Sequence, residues 1–121
     1  MARPHILFIM TQDIPWQKGT YGTGRQDVES KILSIDEAGT DATTVVRYPA
    51  GWLRDEAEHN TAHEEFLVLD GAITINGMTY DKHCYGFFPK GYTRESAYSA
   101  RGAVLLTMFC PSSEHLAQVA A

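Results

Sequence analysis

The chain has 121 residues, 44% hydrophobic and 21% charged, with a formal net charge of -5. That length suits one domain able to bury its own core. The acidic balance and the absence of any basic run argue against a nucleic-acid or anionic-membrane partner.

The opening "MARPHILFIM" contains one short apolar run, Ile6 to Met10. It is too short for a signal-peptide core or a membrane span and predicts a first strand. With no export signal, the expected location is the cytoplasm. Cys84 and Cys110 are then expected as reduced thiols, acting as small hydrophobes rather than nucleophiles. Next comes "TQDIPWQKGTYGTGRQDVESKIL", a mix of Gly, Pro and polar residues that predicts an extended arm or long loop. Its "GTYGTG" is glycine-rich like a phosphate-cradling loop, but no Lys-Ser/Thr pair follows. Turn glycines are the simpler reading.

From residue 43 onward the pattern is β. "TTVVRYPAGW" is rich in β-branched residues and stops at Pro-Ala-Gly. "EFLVLDGAITINGMTY" predicts short strands around turns at Asp70-Gly71 and Asn76-Gly77, because both dipeptides tolerate the positive φ angles of tight hairpins. "YGFFPKGY" and "RGAVLLTMFC" predict two more strands, and "SSEHLAQVAA" a short C-terminal helix with Ser112 or Ser113 as N-cap. Many short strands with turn signals between them predict an all-β antiparallel sandwich or barrel.

One stretch, "GWLRDEAEHNTAHEEFLVLDG", concentrates histidines and acidic residues. Gly51 is followed by five residues, Ala57, one residue, His59, four residues, Glu64, six residues and Gly71. This resembles the first motif of the cupin superfamily: Gly, five residues, His-x-His, three or four residues, Glu, six residues, Gly. Ala57 stands where the first histidine belongs. The second cupin motif is Gly, five residues, Pro-x-Gly, two residues, His, three residues, Asn. In "HCYGFFPKGYTRESAY", His83 takes the Gly place, Pro89 and Gly91 are kept, Arg94 takes the His place and Tyr98 the Asn place. The resemblance spans about residues 43 to 110. It implies a single RmlC-like cupin domain over 1–121: an antiparallel double-stranded β-helix or jelly roll, with an N-terminal strand and arm (1–42), the barrel motifs (43–110) and a short helical tail (111–121).

The resemblance also implies a pocket. In cupins the motif glutamate points inward, so Glu64, Phe66 and Val68 are expected to line the cavity, since residues two apart in a strand share a face. Cupins usually hold a metal with three histidines and one glutamate. Here His59 and Glu64 keep two of those places, His63 is a candidate third ligand, and His83 is another. Arg94 cannot be a ligand, because a guanidinium only donates hydrogen bonds. It can instead pair with Glu64 or with a carboxylate on a bound molecule. The cofactor expectation therefore stays open between a divalent metal (Fe, Zn, Mn or Ni) and none.

Two functional classes follow from the resemblance. One is an enzyme acting on a small organic acid or carbonyl compound: a metal-dependent dioxygenase or lyase, or a metal-free isomerase or epimerase with His59 as base and Tyr98, Tyr92 or Tyr85 as acid. The other is a ligand-binding or sensor module, with Arg94 anchoring an acidic molecule against Phe66, Val68, Phe87 and Trp52. Trp16 and Trp52 are equally at home covering the core. Expected partners are a small-molecule ligand and a second copy of the chain, the homodimer exchanging N-terminal strands as single-domain cupins do.

Overall fold

A computed structural model of the chain describes residues 5–6, 8–19, 27–36 and 41–110. After a 3₁₀ turn at Thr11–Asp13, eleven strands follow: β1 (Gln17–Lys18), β2 (Glu29–Ile35), β3 (Ala42–Tyr48), β4 (Trp52–Arg54), β5 (Glu58–His59), β6 (His63–Ile75), β7 (Met78–Asp81), β8 (Tyr85–Phe88), β9 (Thr93–Arg94), β10 (Ala97–Ser99) and β11 (Ala103–Cys110). There is no α-helix among the described residues, and the predicted C-terminal helix at 111–121 lies outside them.

Nine strands form one curled antiparallel sheet in the order β1-β2-β3-β11-β6-β10-β4, with β7 and β8 also on β6. The remaining two, β5 and β9, pair only with each other. The spine is β6. Its first half lies between β11 and β8, its second between β10 and β7. The register slips opposite Val104/Leu105, a bulge that reverses which residues face inward. Glu64, Phe66 and Val68 are buried before it, Ile73 and Ile75 after it. The inner face they share with Val46, Tyr48, Trp52, Phe88 and Leu105 is the core, each large apolar side chain contributing about 2 kcal/mol by leaving water.

Several expectations need correction. The run at Ile6–Met10 is not a strand where it is described, and Phe8 is 78% exposed. The region read as arm or loop holds a full strand, β2, whose inward Ser30 donates to the Gly19 carbonyl and hides the apolar alternation. Trp16 lies against the cationic side chains of Lys31 and Arg47, and Lys31 also donates to the Thr11 carbonyl. The arm is thus strapped to β2 and β3 rather than left loose. Asn76-Gly77 is the predicted tight turn, with φ of 51° and 81°. Asp70-Gly71 is not a turn, since β6 runs straight through it.

Gly71 shows why. Its φ is +73°, and a Cβ there would sit 2.1 Å from the Gly102 carbonyl oxygen, so only glycine lets the strand bend this close to the β10–β11 turn. Gly71→Ala is expected to cost roughly 3 kcal/mol in denaturant unfolding. Gly77→Ala shares the positive φ but has nothing within 4 Å of the added atom, and should cost clearly less. Equal losses would mean that the close approach is unimportant.

Candidate functional site

Alternation along short strands decides which side chains enter the interior. In β5, Glu58 points inward and His59 is exposed, its Nδ1 2.9 Å from Thr93 Oγ1 on the paired strand. Asn60, the next inward residue, is buried. In β9, Arg94 is the Cα partner of Glu58 and points the same way. In β6, Glu64 is buried on the inner face. In β4, Arg54 shares the inner side with Trp52 by the same two-residue alternation.

These residues meet. Arg94 Nη2 donates to Glu58 Oε1 at 2.7 Å, and Nη1 lies 3.6 Å from Glu64 Oε1. Arg54 Nη1 is 3.7 Å from the other oxygen of Glu58, and Asn60 Nδ2 donates to Glu64 Oε1 at 3.3 Å. Side-chain exposure rises from 8% at Glu64 and 11% at Arg94 to 17% at Glu58 and 28% at Arg54, so the network runs from the core toward solvent. Two arginines face two glutamates. Nε of Arg54, Nε of Arg94 and Oδ1 of Asn60 are buried without a hydrogen-bond partner. Beside the network lie Phe66, Phe88 and Tyr92, with Phe88 and Tyr92 stacked at 4.5 Å. Tyr80 packs edge-on against Phe66 and Phe88; burial, helped by the nearby Tyr92 and Cys84, pushes its phenol pKa up.

The predicted site residues are therefore split. Glu64, Arg94, Phe66 and Val68 face inward. His59 does not join Glu64. His63 follows strand alternation to the opposite face from Glu64, where it is buried, accepts from the Lys90 N–H at Nδ1 and stacks on Phe87. His83 sits in the β7–β8 turn with φ of 80°, the conformation for which the cupin pattern keeps glycine. Tyr98 and Phe87 are exposed because their neighbours Ala97, Ser99 and Phe88 take the inner face. Tyr85 is also exposed; its phenol donates to Glu65, a bond that raises its pKa. Trp52 is a core residue, edge-on to Tyr48 with its indole N–H donating to Asp27 at 2.6 Å. The residues that the spacing missed are Arg54, Glu58 and Asn60. A signal for two of them was present: with three residues before Glu64 instead of four, Glu58-x-Asn60 falls on the His-x-His places.

This donor set does not fit a transition-metal ion. Imidazole and thiolate are the usual ligands, a catalytic site wants three of them with an open position, and here a fixed guanidinium stands between the two carboxylates. Among the described residues no group of three or more His, Cys, Asp or Glu side chains could hold a metal. A separate open groove of about 610 Å³ lies beside the Gly71 bend. Its charges are balanced, Lys18, Arg47 and Arg101 against Asp27, Glu29 and Asp70, and the network does not line it.

Comparison with known proteins agrees with this architecture. The sequence pattern of the ChrR cupin-like domain matches residues 5–113. The chain belongs to that family. No curated protein matches significantly by sequence. Among solved structures, this cupin superposes on a proposed dioxygenase of Nostoc punctiforme with a TM-score of 0.75 at 16% identity, over 83% of this chain and 34% of that one. It spans only about a third of that protein's length. An RmlC-like cupin of Shewanella frigidimarina matches at 0.68 and 12% identity, over 96% and 99% of the two chains. An acetylacetone dioxygenase of Acinetobacter johnsonii matches at 0.66 and 14%, over 88% and 73%. At such identities the likeness is one of fold. No described helix of this cupin is long and apolar enough to cross a membrane.

Placement of the histidine and the glutamate gives a direct test. His59→Ala is expected to cost less than about 1 kcal/mol, as for an exposed residue. Glu64→Gln, which leaves a buried guanidinium short of one carboxylate, should cost about 2 kcal/mol or more. Urea unfolding of both variants measures this, and a His59 loss as large as that of Glu64 would place the imidazole inside after all.

Proposed function

We propose that this cupin is a recognition module for a small organic acid or polar carbonyl compound and works without a metal. The reading is supported above all by the Arg54–Glu58–Arg94–Glu64 network, which stands among the motif positions that would carry metal ligands. Arg94 is engaged by two carboxylates. Arg54 is the more open arginine and holds Glu58 only at 3.7 Å, so its guanidinium fork is the better anchor for a carboxylate or carbonyl oxygen. Phe66, Phe88 and Tyr92 supply the apolar wall expected of a ligand site with a few placed polar groups.

An isomerase reading needs a base and an acid within reach of one substrate atom. His59 and Tyr98 are both exposed on their strands. The dioxygenase reading draws on the neighbours alone, one of which is named an acetylacetone dioxygenase, and among the described residues no ligand set fits its metal. Recognition is the function these residues support best.

A thermal-shift screen of chelator-treated protein against small organic acids and carbonyl compounds tests it. At least one compound is expected to raise Tm. Arg54→Met and Glu58→Gln should erase the shift, and Tyr98→Phe should keep it. Stabilisation that appears only with added metal, or none in the whole screen, would sink the proposal.

A further inference from the structure

We infer that the guanidinium of Arg94 is the resident cation of this pocket, holding β5, β6 and β9 together as a bound metal ion would. The inference goes beyond ligand recognition and stands whichever ligand enters.

The β5–β9 ribbon has only two residue pairs, Glu58 with Arg94 and His59 with Thr93, and it is outside the nine-stranded sheet. Two residue pairs make a marginal ladder. Among the described residues the interior tie between ribbon and spine is Glu64 of β6, which faces Arg94 and accepts from Asn60; at the exposed side Asn76, next after β6, donates to the Thr93 carbonyl. Arg94 thereby touches one carboxylate on its partner strand and another on the spine. A metal ion in such a place would cross-link the same elements through its ligands.

Charge fixes the kind of cation. Among the described residues, Glu58 and Glu64 are paired with Arg54 and Arg94, two charges against two. A divalent ion replacing Arg94 would sit near the fixed charge of Arg54 and leave the pocket with excess positive charge, which is costly at this degree of burial. A planar monovalent cation that donates to one carboxylate and pairs with the other keeps the balance. A guanidinium has that charge and shape, and unlike imidazole it cannot lose its proton.

The test removes the cation and supplies a loose one. In Arg94→Ala, amide exchange at Asn60 and Gly91, which bond across the β5–β9 loops to Tyr92 and Asn60 carbonyls, should quicken about tenfold or more. Exchange in β3 and β11 should stay near wild type. Millimolar methylguanidinium should restore the lost protection, whereas equal methylammonium, Ca²⁺ or Mn²⁺ should not. In the wild type, neither a chelator nor Zn²⁺, Fe²⁺ or Mn²⁺ should change protection of the ribbon. Where Arg94→Ala does not fold, Arg94→Lys decides, because it keeps the charge and loses the fork; it should fold with weakened ribbon protection. Unchanged protection in both variants, better rescue by a divalent ion, or a wild-type ribbon that responds to metal would each overturn the inference. All of these readouts are independent of ligand binding, so a failed ligand screen leaves them intact.

Discussion

The bridge from Arg94 to Glu58 and Glu64 is the constraint on which the interior depends. An exposed ion pair contributes little, because water and salt screen it. This one sits where side-chain exposures are 8–17%, so each charge has given up much of its hydration and needs its partners. Neutrality follows as a requirement. Removing any one of the four charged groups upsets that balance in a largely buried setting. The same requirement favours the observed strand faces: a ribbon that turned Glu58 and Arg94 outward would take from Glu64 the guanidinium it faces.

The spine brings the requirement and the core together. Before its bulge β6 presents Glu64, Phe66 and Val68 to the interior, and after it Ile73 and Ile75. Without the slip, the apolar residues of one half would face solvent. Gly71 permits the bend at the cost of chain entropy, and the approach of Gly102 makes glycine obligatory. One strand therefore carries the polar end and the apolar end of the interior, and the polar end is the one that reaches solvent through Arg54.

Much of this fold was legible in the sequence. The β-branched runs, the Asn76-Gly77 turn and the motif spacing identify the cupin barrel and bring Glu64, Arg94, Phe66 and Val68 to its inner face. What was not legible has a common physical cause. A one-residue change in register inverts the faces of a strand, and two-residue strands give no apolar alternation to fix it. His59 was aligned with a histidine place because it is a histidine, whereas the partner strand aligned Glu58 with Arg94. Phe87 and Phe88 are chemically equivalent in sequence, and the register on β6, which sets Phe88 opposite Glu64 and Gly86 against Phe66, decides which ring goes inside. The strand β2 escaped detection because Ser30, whose hydroxyl is satisfied by a carbonyl, replaces an apolar residue in the core. Polar residues that find partners inside break the rule on which patterning relies.

The division of polar groups between the two faces bears on chemistry as well as on fold. General acid–base catalysis near neutral pH works best with a group that titrates there, most often an inward imidazole. Both barrel histidines of the first motif region point away from the pocket, His59 onto Thr93 and His63 onto the Lys90 amide. The tyrosine beside the pocket, Tyr80, is pushed toward the neutral phenol by burial. The charged groups of the network are arginines, which do not release protons, and the carboxylates paired with them. Such a set can orient a polar ligand and discriminate its charge, because any unpaired charge it admits must be matched against a network already in balance. Proton transfer would require one of those carboxylates to give up its guanidinium partner. Recognition rather than conversion, as proposed, rests on that arrangement.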